Sequence, residues 1–363
     1  MKLELIDSKD RERLRVWDDF LMKSPRGHFA LLSSRLRSFG AFGFDFKVLT
    51  ATRSGSDEVV GGIGLLRFGN PFFKVMSAPI GPIADIGSED AAGPILDATI
   101  EYARREGVSL LQMRYPCSAG AELPALLPAS SLPALPGSRS GAAFDIGKAP
   151  DEMMWIGFPD CADDEAWEKQ LLKRFKPQTR NKIRIGEKQG MEVFEARTPA
   201  ELKEAYALIE DETRIRRAAF RGWDSFGETL IEQVNRRHAI VMGIRYEGRV
   251  IAVRYGALAG RRFSYISGAR LPVDNLKVGQ FLTWAVMKKC RELGLTGYDF
   301  SAVGKPGVMA FKEGFRPDHI RLLEPRFFVF SGFRYQVFNS SYRLLVKNKQ
   351  LVSRVLNAAY RRS

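Results

Sequence analysis

Cysteine and histidine are both scarce in this chain of 363 residues, which contains three of each. Cys117, Cys161 and Cys290 are widely spaced and odd in number, so the sequence does not indicate a disulfide framework. The histidines do not have the close spacing to these cysteines that a zinc site requires. We therefore predict no metal site and expect the cysteines to be packing or surface residues.

Long apolar runs are also missing. No segment approaches the ~18 to 20 consecutive apolar residues that a membrane-spanning helix needs. The N-terminal stretch MKLELIDSKDRER alternates charges too early to be a signal peptide. With 45% hydrophobic and 27% charged residues, the composition is typical of a folded cytoplasmic protein, and the length favours two domains.

Acidic residues become scarce toward the C-terminus, although the net charge of the whole chain is only +14. Residues 1–150 contain 18 basic and 17 acidic residues, whereas residues 311–363 contain 11 basic and 3 acidic residues. A positive surface of this kind attracts nucleic acid, anionic lipid or phosphorylated substrates. Charge alone does not choose among these partners.

One pattern of hairpin, helix and strand occurs twice along the chain. The first copy has strands at 46–53 and 59–68, a helix at 89–106 and a strand at 108–114; the second has strands at 239–246, 249–258 and 262–269, a helix at 280–293 and a strand at 296–301. The repeat predicts an α/β (α+β) protein of two modules, each a mixed β-sheet flanked by helices. We expect these modules at 1–150 and 151–330, with a long loop at 116–147 and a separate tail at 331–363.

The segment 174–190, RFKPQTRNKIRIGEKQG, contains six basic residues and one acidic residue. In a helix over 179–189, Arg180, Arg184 and Lys188 lie on one face, because they are four residues apart. Like charges at this spacing do not help a helix to form. The stripe is therefore either a solvated face or a binding site for a phosphate-bearing ligand.

Three segments in this order resemble the FemABX family of aminoacyl and peptidyl transferases. They are TRNKIRIGEKQGMEV (179–193), VGQFLTWAVMKKCRELGLTGYDFSAVG (278–304) and GVMAFKEGFRPD (307–318), with a fainter likeness in APIGPIAD. The resemblance implies two modules of the GNAT acyltransferase type and transfer of an acyl group to the amine of a cell-envelope precursor, related to peptidoglycan or exopolysaccharide. It also implies aminoacyl-tRNA as the donor and no permanently bound cofactor.

The resemblance implies an electrostatic catalytic role for Lys312, in the segment FKEGF. From the residues alone, Lys312 is better explained as a surface lysine between two core aromatics, Phe311 and Phe315. Asp299, at the end of a predicted strand, and His319 are further candidates for proton transfer. The candidates for substrate binding are Arg180, Arg184, Lys188, Tyr265, Gln280 and Phe311.

The chain departs from the family pattern at two places. Relatives begin with a Gln-Ser-x-x-Trp segment, whereas this chain has FALLSSRLRSFG at 29–40, in which Arg35 or Arg37 could take over contact with the acceptor. A coenzyme A-dependent GNAT enzyme has an Arg/Gln-x-x-Gly-x-Gly/Ala turn, and NLKVGQFLTWA at 275–285 retains only Gly279 of it. Acyl-CoA is therefore the alternative donor.

The tail at 333–363 combines the apolar residues Phe338, Leu345, Val352, Val355 and Ala359 with seven basic residues and no acidic residue. An amphipathic basic helix of this kind either lies on an anionic membrane or packs on the domain.

The alternative to an acyltransferase is a protein of a different class, a catalytically silent GNAT-like module that binds tRNA or anionic membrane.

Overall fold

A computed structural model describes residues 1–69, 74–118, 120, 123–144, 150–215, 221–302 and 304–347. The chain forms two compact units, one of Met1–Asp151 together with the chain from Arg321 on, the other of Glu152–Ile320. The first boundary lies one residue from the predicted position. The second differs from the predicted residue 330, because the chain returns to the first unit after Ile320.

The first unit is built on a mixed sheet with strand order β1-β2-β3-β4-β6-β15-β7, in which β5 pairs with β3 and β15 is the late segment Arg326–Val329. Its elements before the boundary are β1 (Lys2–Asp7), α1 (Arg11–Lys23), α2 (Ser33–Arg37), β2 (Asp45–Thr52), β3 (Val59–Gly69), β4 (Lys74–Ala78), β5 (Ile83–Ala84), α3 (Ala92–Arg105), β6 (Leu110–Met113) and β7 (Ser138–Ser140). β2, β3 and β4 are antiparallel, and β6 then pairs in parallel with β4. The predicted hairpin is confirmed, and the predicted loop at 116–147 includes the short strand β7.

Helix α3 covers this sheet because its apolar residues recur at helical spacing. Ile95, Leu96 and Ala103 are fully buried on it and join a core cluster with Leu65 and Leu111 of the strands. The helix begins at Ala92 after a 3-10 turn, three residues later than predicted, and Gly107 follows its end with a positive φ of 66°. A glycine is favoured there because side chains with a Cβ rarely adopt this conformation.

The second unit repeats this arrangement in a seven-stranded sheet of order β14-β8-β13-β12-β11-β10-β9. Its elements are β8 (Glu152–Gly157), α4 (Asp164–Arg174), α5 (Pro177–Glu187), β9 (Glu192–Glu195), α6 (Pro199–Ile215), α7 (Trp223–Asn235), β10 (Ala239–Tyr246), β11 (Arg249–Ala259), β12 (Arg262–Arg270), α8 (Val278–Glu292), β13 (Gly297–Asp299), α9 (Pro306–Glu313) and β14 (Asp318–Arg321). Strands β10, β11 and β12 are antiparallel, and β13 pairs in parallel with β12 after helix α8. The repeat predicted from the sequence is thus confirmed as two mixed sheets flanked by helices.

The chain then contributes a last strand, β15 (Arg326–Val329), and a helix, α10 (Gly332–Lys347), to the first unit. β15 lies between β6 and β7 and is antiparallel to both. It occupies the place beside β6 that β8 occupies beside β13 in the other sheet. A strand of four residues is too short for its sequence to indicate which strand it pairs with, so the sequence does not reveal this pairing.

Helix α10 packs on the first unit through one face and leaves another face exposed. Phe338 is buried in a cluster with Phe144, and the Tyr335 ring stacks on Phe327 with ring centroids 6.1 Å apart. Phe333 and Val337, in contrast, are 79% and 46% exposed. The residues Val352, Val355 and Ala359 of the predicted amphipathic pattern, and the side chain of Leu345, lie outside the described residues. None of the helices in the described ranges is long and apolar enough to cross a membrane.

The basic helix α5 is fixed against α8. Pro177 occupies its first turn, two residues before the predicted start of the helix, and Ile183 is buried. Gly186 approaches α8 so closely that a Cβ there would lie 2.6 Å from the Cβ of Phe281. The Gln189 side chain receives a hydrogen bond from the Lys277 backbone N–H and donates one to the Asn275 carbonyl, each at 2.8 Å. The C-terminal end of α5 is therefore attached to the loop that leads into α8.

Candidate active site

The second sheet opens where β12 and β13 separate. β13 pairs with β12 only at Arg262, Phe263 and Ser264. β12 continues from there to Arg270, paired with β11 on its other side. Because the chain after β13 turns away into α9, a space is left between that helix and the free length of β12.

A pocket of about 610 Å³ lies in this space. It is lined by residues of β11, β12, the first turns of α8, and α9 with the loop before it: Ala252, Val253, Arg254, Tyr265, Gly268, Ala269, Arg270, Gly279, Leu282, Lys305, Gly307, Val308, Phe311 and Lys312. Four of these side chains are cationic and none is a carboxylate. The pocket therefore suits an anionic ligand.

Lys312 is the chemically distinctive side chain of the pocket. It is only 3% exposed, and its ammonium group donates a 2.5 Å hydrogen bond to the carbonyl of Ser301. Burial lowers the pKa of Lys312 from 10.5 to about 8; the charge of Asp299 opposes this shift and that of Arg254 adds to it. A lysine with this pKa is mostly protonated at neutral pH and releases its proton more readily than a solvated lysine.

Asp299 lies at the end of β13, buried, and does not line the pocket. Its carboxylate accepts hydrogen bonds from the backbone N–H groups of Ser301 at 2.9 Å and Met154 at 3.2 Å. Burial raises the pKa of Asp299, although these hydrogen bonds and the positive charges of Arg262 and Lys312 act in the opposite direction. The charge of Asp299 thus favours the protonated form of Lys312.

Two other predicted residues, Tyr265 and Phe311, also line the pocket. The Lys312 nitrogen lies 5.8 Å from the centroid of the Tyr265 ring. The guanidinium carbon of Arg254 lies 5.3 Å from the Tyr265 centroid and 5.6 Å from the Phe311 centroid. The two aromatic side chains therefore hold the position of Arg254 by cation–π contact.

Three cationic residues of the pocket were not predicted from the sequence: Arg254, Arg270 and Lys305. Only for Arg254 does the sequence contain a signal. Arg254 interrupts the apolar run VIAVRYGAL of β11, where a charged side chain is unexpected in a buried strand. Arg270 and Lys305 lie at the end of a strand and in a loop, where charged residues are ordinary.

The predicted basic stripe lies outside the pocket and divides into two parts. Arg180 is half-buried and donates hydrogen bonds to the carbonyls of Phe175 at 2.7 Å and Lys173 at 3.3 Å, at the C-terminal end of α4. It caps that helix, whose last carbonyl groups lack partners within the helix. Arg184, on α5, and Lys188, the residue that follows this helix, are exposed and accessible to a ligand; α5 ends at Glu187, two residues before the predicted end.

The remaining predicted residues also lie away from the pocket lining. His319 is an exposed residue of β14 between Glu152 and Glu313, and hydrogen bonding to Glu152 is the main cause that raises its pKa. Gln280 is half-buried next to Gly279 of the pocket. Arg35 and Arg37 belong to α2 of the first unit, where the Arg35 guanidinium lies 5.3 Å from the centroid of Phe39.

A cluster of side chains that could hold a metal ion is not found in the part of the chain that the structure describes. Cys117 and Cys290 are buried and Cys161 is partly buried, all with free thiols.

Replacing Lys312 with methionine should stabilise the protein at neutral pH. Because the folded-state pKa is lower than the unfolded-state value, the protonated lysine destabilises the fold at every pH below about 8, and this effect disappears as the pH rises toward 10.5. Loss of the hydrogen bond to Ser301 offsets part of the gain. We expect an increase of about 1 to 2 kcal/mol in the free energy of unfolding at pH 7.

Urea unfolding at pH 7 and at pH 10 tests this effect. The stability difference between the variant and the wild type should shrink at the higher pH. A variant that is less stable than the wild type at pH 7 would show that the ammonium group is well accommodated in its buried position.

The pocket lies in the part of the chain that matches a known family model. Residues 173–313 match the family model described as an acetyltransferase (GNAT) domain, and this range contains the whole pocket. No curated protein matches the sequence.

Several solved structures share the fold of the chain at low sequence identity. FemX is 15% identical, with a TM-score of 0.75 over 93% of this chain and 100% of its own. L-PGS from Bacillus licheniformis is 14% identical, with a TM-score of 0.55 over 94% of this chain and 98% of its own. The C-terminal DUF2156 domain of a lysylphosphatidylglycerol synthetase candidate from Agrobacterium fabrum is 12% identical, with a TM-score of 0.54 over 92% of this chain and 97% of its own. These likenesses confirm the FemX-like fold that the sequence predicts, and the match of residues 173–313 to an acetyltransferase (GNAT) domain agrees with the predicted acyltransferase class.

Proposed function

We propose that the protein transfers an aminoacyl or other acyl group from a phosphate-bearing donor to the amine of a cell-envelope precursor, and that the reaction takes place in the Lys312 pocket. The observation that carries this proposal is a buried lysine of lowered pKa inside a pocket with four cationic side chains and no carboxylate in its lining. Such a pocket attracts an anionic substrate and places a proton donor beside it.

Lys312 supports acyl transfer through charge and proton donation. Attack of an amine on an ester carbonyl creates a tetrahedral intermediate with an oxyanion, and the carbon–oxygen bond to the leaving group then breaks. The Lys312 ammonium group stabilises the developing negative charge and protonates the leaving oxygen, and the proton that the attacking amine gives up returns Lys312 to its ammonium form. Its fixed hydrogen bond to the Ser301 carbonyl keeps it oriented before the substrate binds.

The surface of the second unit favours a large polyanionic donor. Lys182 and Arg184 of α5 are exposed, as is Lys188, which follows the helix. Hydrogen bonds of Gln189 attach the C-terminal end of α5 to the loop before α8. The first turn of α8 in turn contributes Gly279 to the pocket. Basic residues thus extend beyond the pocket along α5, which is about 16 Å long at 1.5 Å per residue. This extension supports aminoacyl-tRNA rather than acyl-CoA as the donor.

Contact with an anionic membrane is proposed through α10. Phe333 and Val337 are exposed apolar side chains of α10. The charged residues of 332–363 are all basic. Apolar insertion together with attraction to anionic headgroups is the usual basis of interfacial binding. Such binding would bring the enzyme to lipid-linked precursors.

Activity should be tested with labelled aminoacyl-tRNA and acyl-CoA, each supplied separately with a panel of amine acceptors. We expect transfer from aminoacyl-tRNA and a loss of about 100 to 1000-fold in kcat for Lys312→Met, as is typical when one oxyanion donor is removed. Lys312→Arg should keep part of the activity because it keeps the charge.

Lys169→Met is the matched control, since Lys169 is exposed on α4 outside the pocket. Near-normal turnover of Lys312→Met would remove Lys312 from the mechanism. Transfer from acyl-CoA alone would overturn the donor assignment, and binding of either donor without turnover would favour a silent module.

Charge reversal on α5 should weaken donor binding rather than chemistry. We expect Arg184→Glu combined with Lys188→Glu to raise KM for the donor about tenfold or more with little change in kcat. Lys203→Glu, on an exposed position of α6, is the control for a charge reversal on another helix. An unchanged KM in the double variant would show that this helix face is only solvated.

Sedimentation with vesicles tests the proposed membrane contact. The protein should bind vesicles that contain phosphatidylglycerol more strongly than vesicles of phosphatidylcholine alone, and raised salt should weaken this binding. Phe333→Ser combined with Val337→Ser should reduce it, because insertion of the apolar side chains is lost. Equal sedimentation with both lipid compositions would contradict the proposal.

A further inference from the structure

Arg254 and Arg270 lie on the same face of the second sheet. In the antiparallel register of β11 and β12, Arg254 is opposite Gly268 and Arg270 is opposite Ala252. Residues two apart along a strand point to the same side, so the two arginines are diagonal neighbours across the strand pair. Gly268 presents no side chain between them. The register therefore places two guanidinium groups over one small area of the pocket wall.

The two guanidinium groups converge on the first turn of α8. The Arg254 Nη2 atom lies 3.4 Å from the carbonyl oxygen of Gly279. A Cβ on Gly279 would lie 3.8 Å from the Nη1 atom of Arg270 and 3.2 Å from the Phe311 ring. A glycine at this position leaves room for both arginines and for the ring that contacts Arg254.

The positive charges are not neutralised by acidic side chains. In the described part of the chain, neither Arg254 nor Arg270 forms an ion pair with a carboxylate. Arginine stays protonated, so the two groups repel each other and also repel Lys312, whose pKa Arg254 helps to lower. An anion bound between them would relieve this repulsion.

Apart from Tyr265, Lys305 and Lys312, the rest of the wall is apolar. Its apolar side chains are those of Ala252, Val253, Ala269, Leu282, Val308 and Phe311. The Tyr265 and Phe311 rings fix Arg254. A planar, oriented guanidinium group in apolar surroundings matches the two oxygens of a carboxylate through paired hydrogen bonds.

We propose that Arg254 and Arg270 together bind a carboxylate of the substrate beside Lys312, and so make the enzyme selective for an acidic substrate. This inference rests on the proposed function in one respect, since it places the carboxylate on one of the two reacting partners. The carboxylate belongs either to the acyl group of the donor or to the amine acceptor. Both sources present the same chemistry to the two arginines.

Isothermal titration of the full chain with small probes tests the site without any need for turnover. Glutarate should bind the wild type at least about tenfold more tightly than glutaramide, which has the same carbon chain without charge. Arg254→Gln and Arg270→Gln should each remove this preference. Arg249→Gln is the matched control, because Arg249 is exposed on the same strand outside the pocket.

Three results would overturn the proposal. These are equal affinity for glutarate and glutaramide, an unchanged preference in Arg254→Gln combined with Arg270→Gln, and tighter binding of inorganic phosphate than of glutarate at the same two arginines. Near-ultraviolet circular dichroism of each variant checks that its fold is intact. If a variant does not fold, competition by free glutarate against wild-type binding of donor provides the second measurement, and absence of competition contradicts the proposal.

Transfer assays identify the source of the carboxylate. A preference for glutamyl-tRNA over glutaminyl-tRNA that is lost in Arg254→Gln assigns the carboxylate to the acyl group. A preference for glycine over glycinamide as acceptor that is lost in the same variant assigns it to the acceptor. Glutarate binding without any transfer supports the site and contradicts the proposed function, whereas transfer without either preference contradicts the site alone.

Discussion

The early separation of two parallel strands is the constraint on which the candidate site depends. β12 and β13 pair over only three residues, because β13 ends at Asp299 while β12 runs on to Arg270. The backbone of β12 beyond that point is free on one side, and α9 lies opposite it across the pocket. A longer β13 would close the sheet and fill the space that Lys312 and Phe311 now face. The position of the pocket thus follows from strand length.

The charges in the pocket oppose the stability of the fold. Lys312 is buried with its ammonium group close enough to Arg254 for the two charges to interact, and Asp299 behind it compensates only in part. A group that carries charge at a position where burial disfavours charge is typical of a functional site rather than of a structural one. The apolar and aromatic residues around it keep the ammonium and guanidinium groups oriented toward the same volume. Binding of an anionic substrate is the event that would relieve the electrostatic strain.

The sequence predicts the repeated modules and the residues of the pocket to different extents. The two copies of hairpin, helix and strand are visible because apolar periodicity and terminal glycines are local features. Lys312, Tyr265 and Phe311 were predicted and do line the pocket. Arg254 and Arg270 were missed because their proximity depends on the register between β11 and β12, which a single sequence does not show.

Two other differences have equally physical causes. Arg180 shares the helical face of Arg184 and Lys188, yet its side chain reaches back to the carbonyl groups at the end of α4. Spacing along one helix cannot reveal a partner on the preceding helix. Similarly, β15 completes the first sheet after the whole second unit has intervened in the sequence, and its four residues carry no sign of that pairing.

The central claim is that the Lys312 ammonium group is buried beside other cations in an acyl-transfer pocket. The pKa of Lys312 tests this claim most directly. Selective labelling of lysine followed by NMR titration of the Lys312 side chain would measure it, with Lys312→Met to assign the signal. A pKa of about 8 is expected, as burial and the charge of Arg254 favour the neutral amine. A pKa near 10.5, the value of a solvated lysine, would contradict the claim and return Lys312 to the status of an ordinary packing residue.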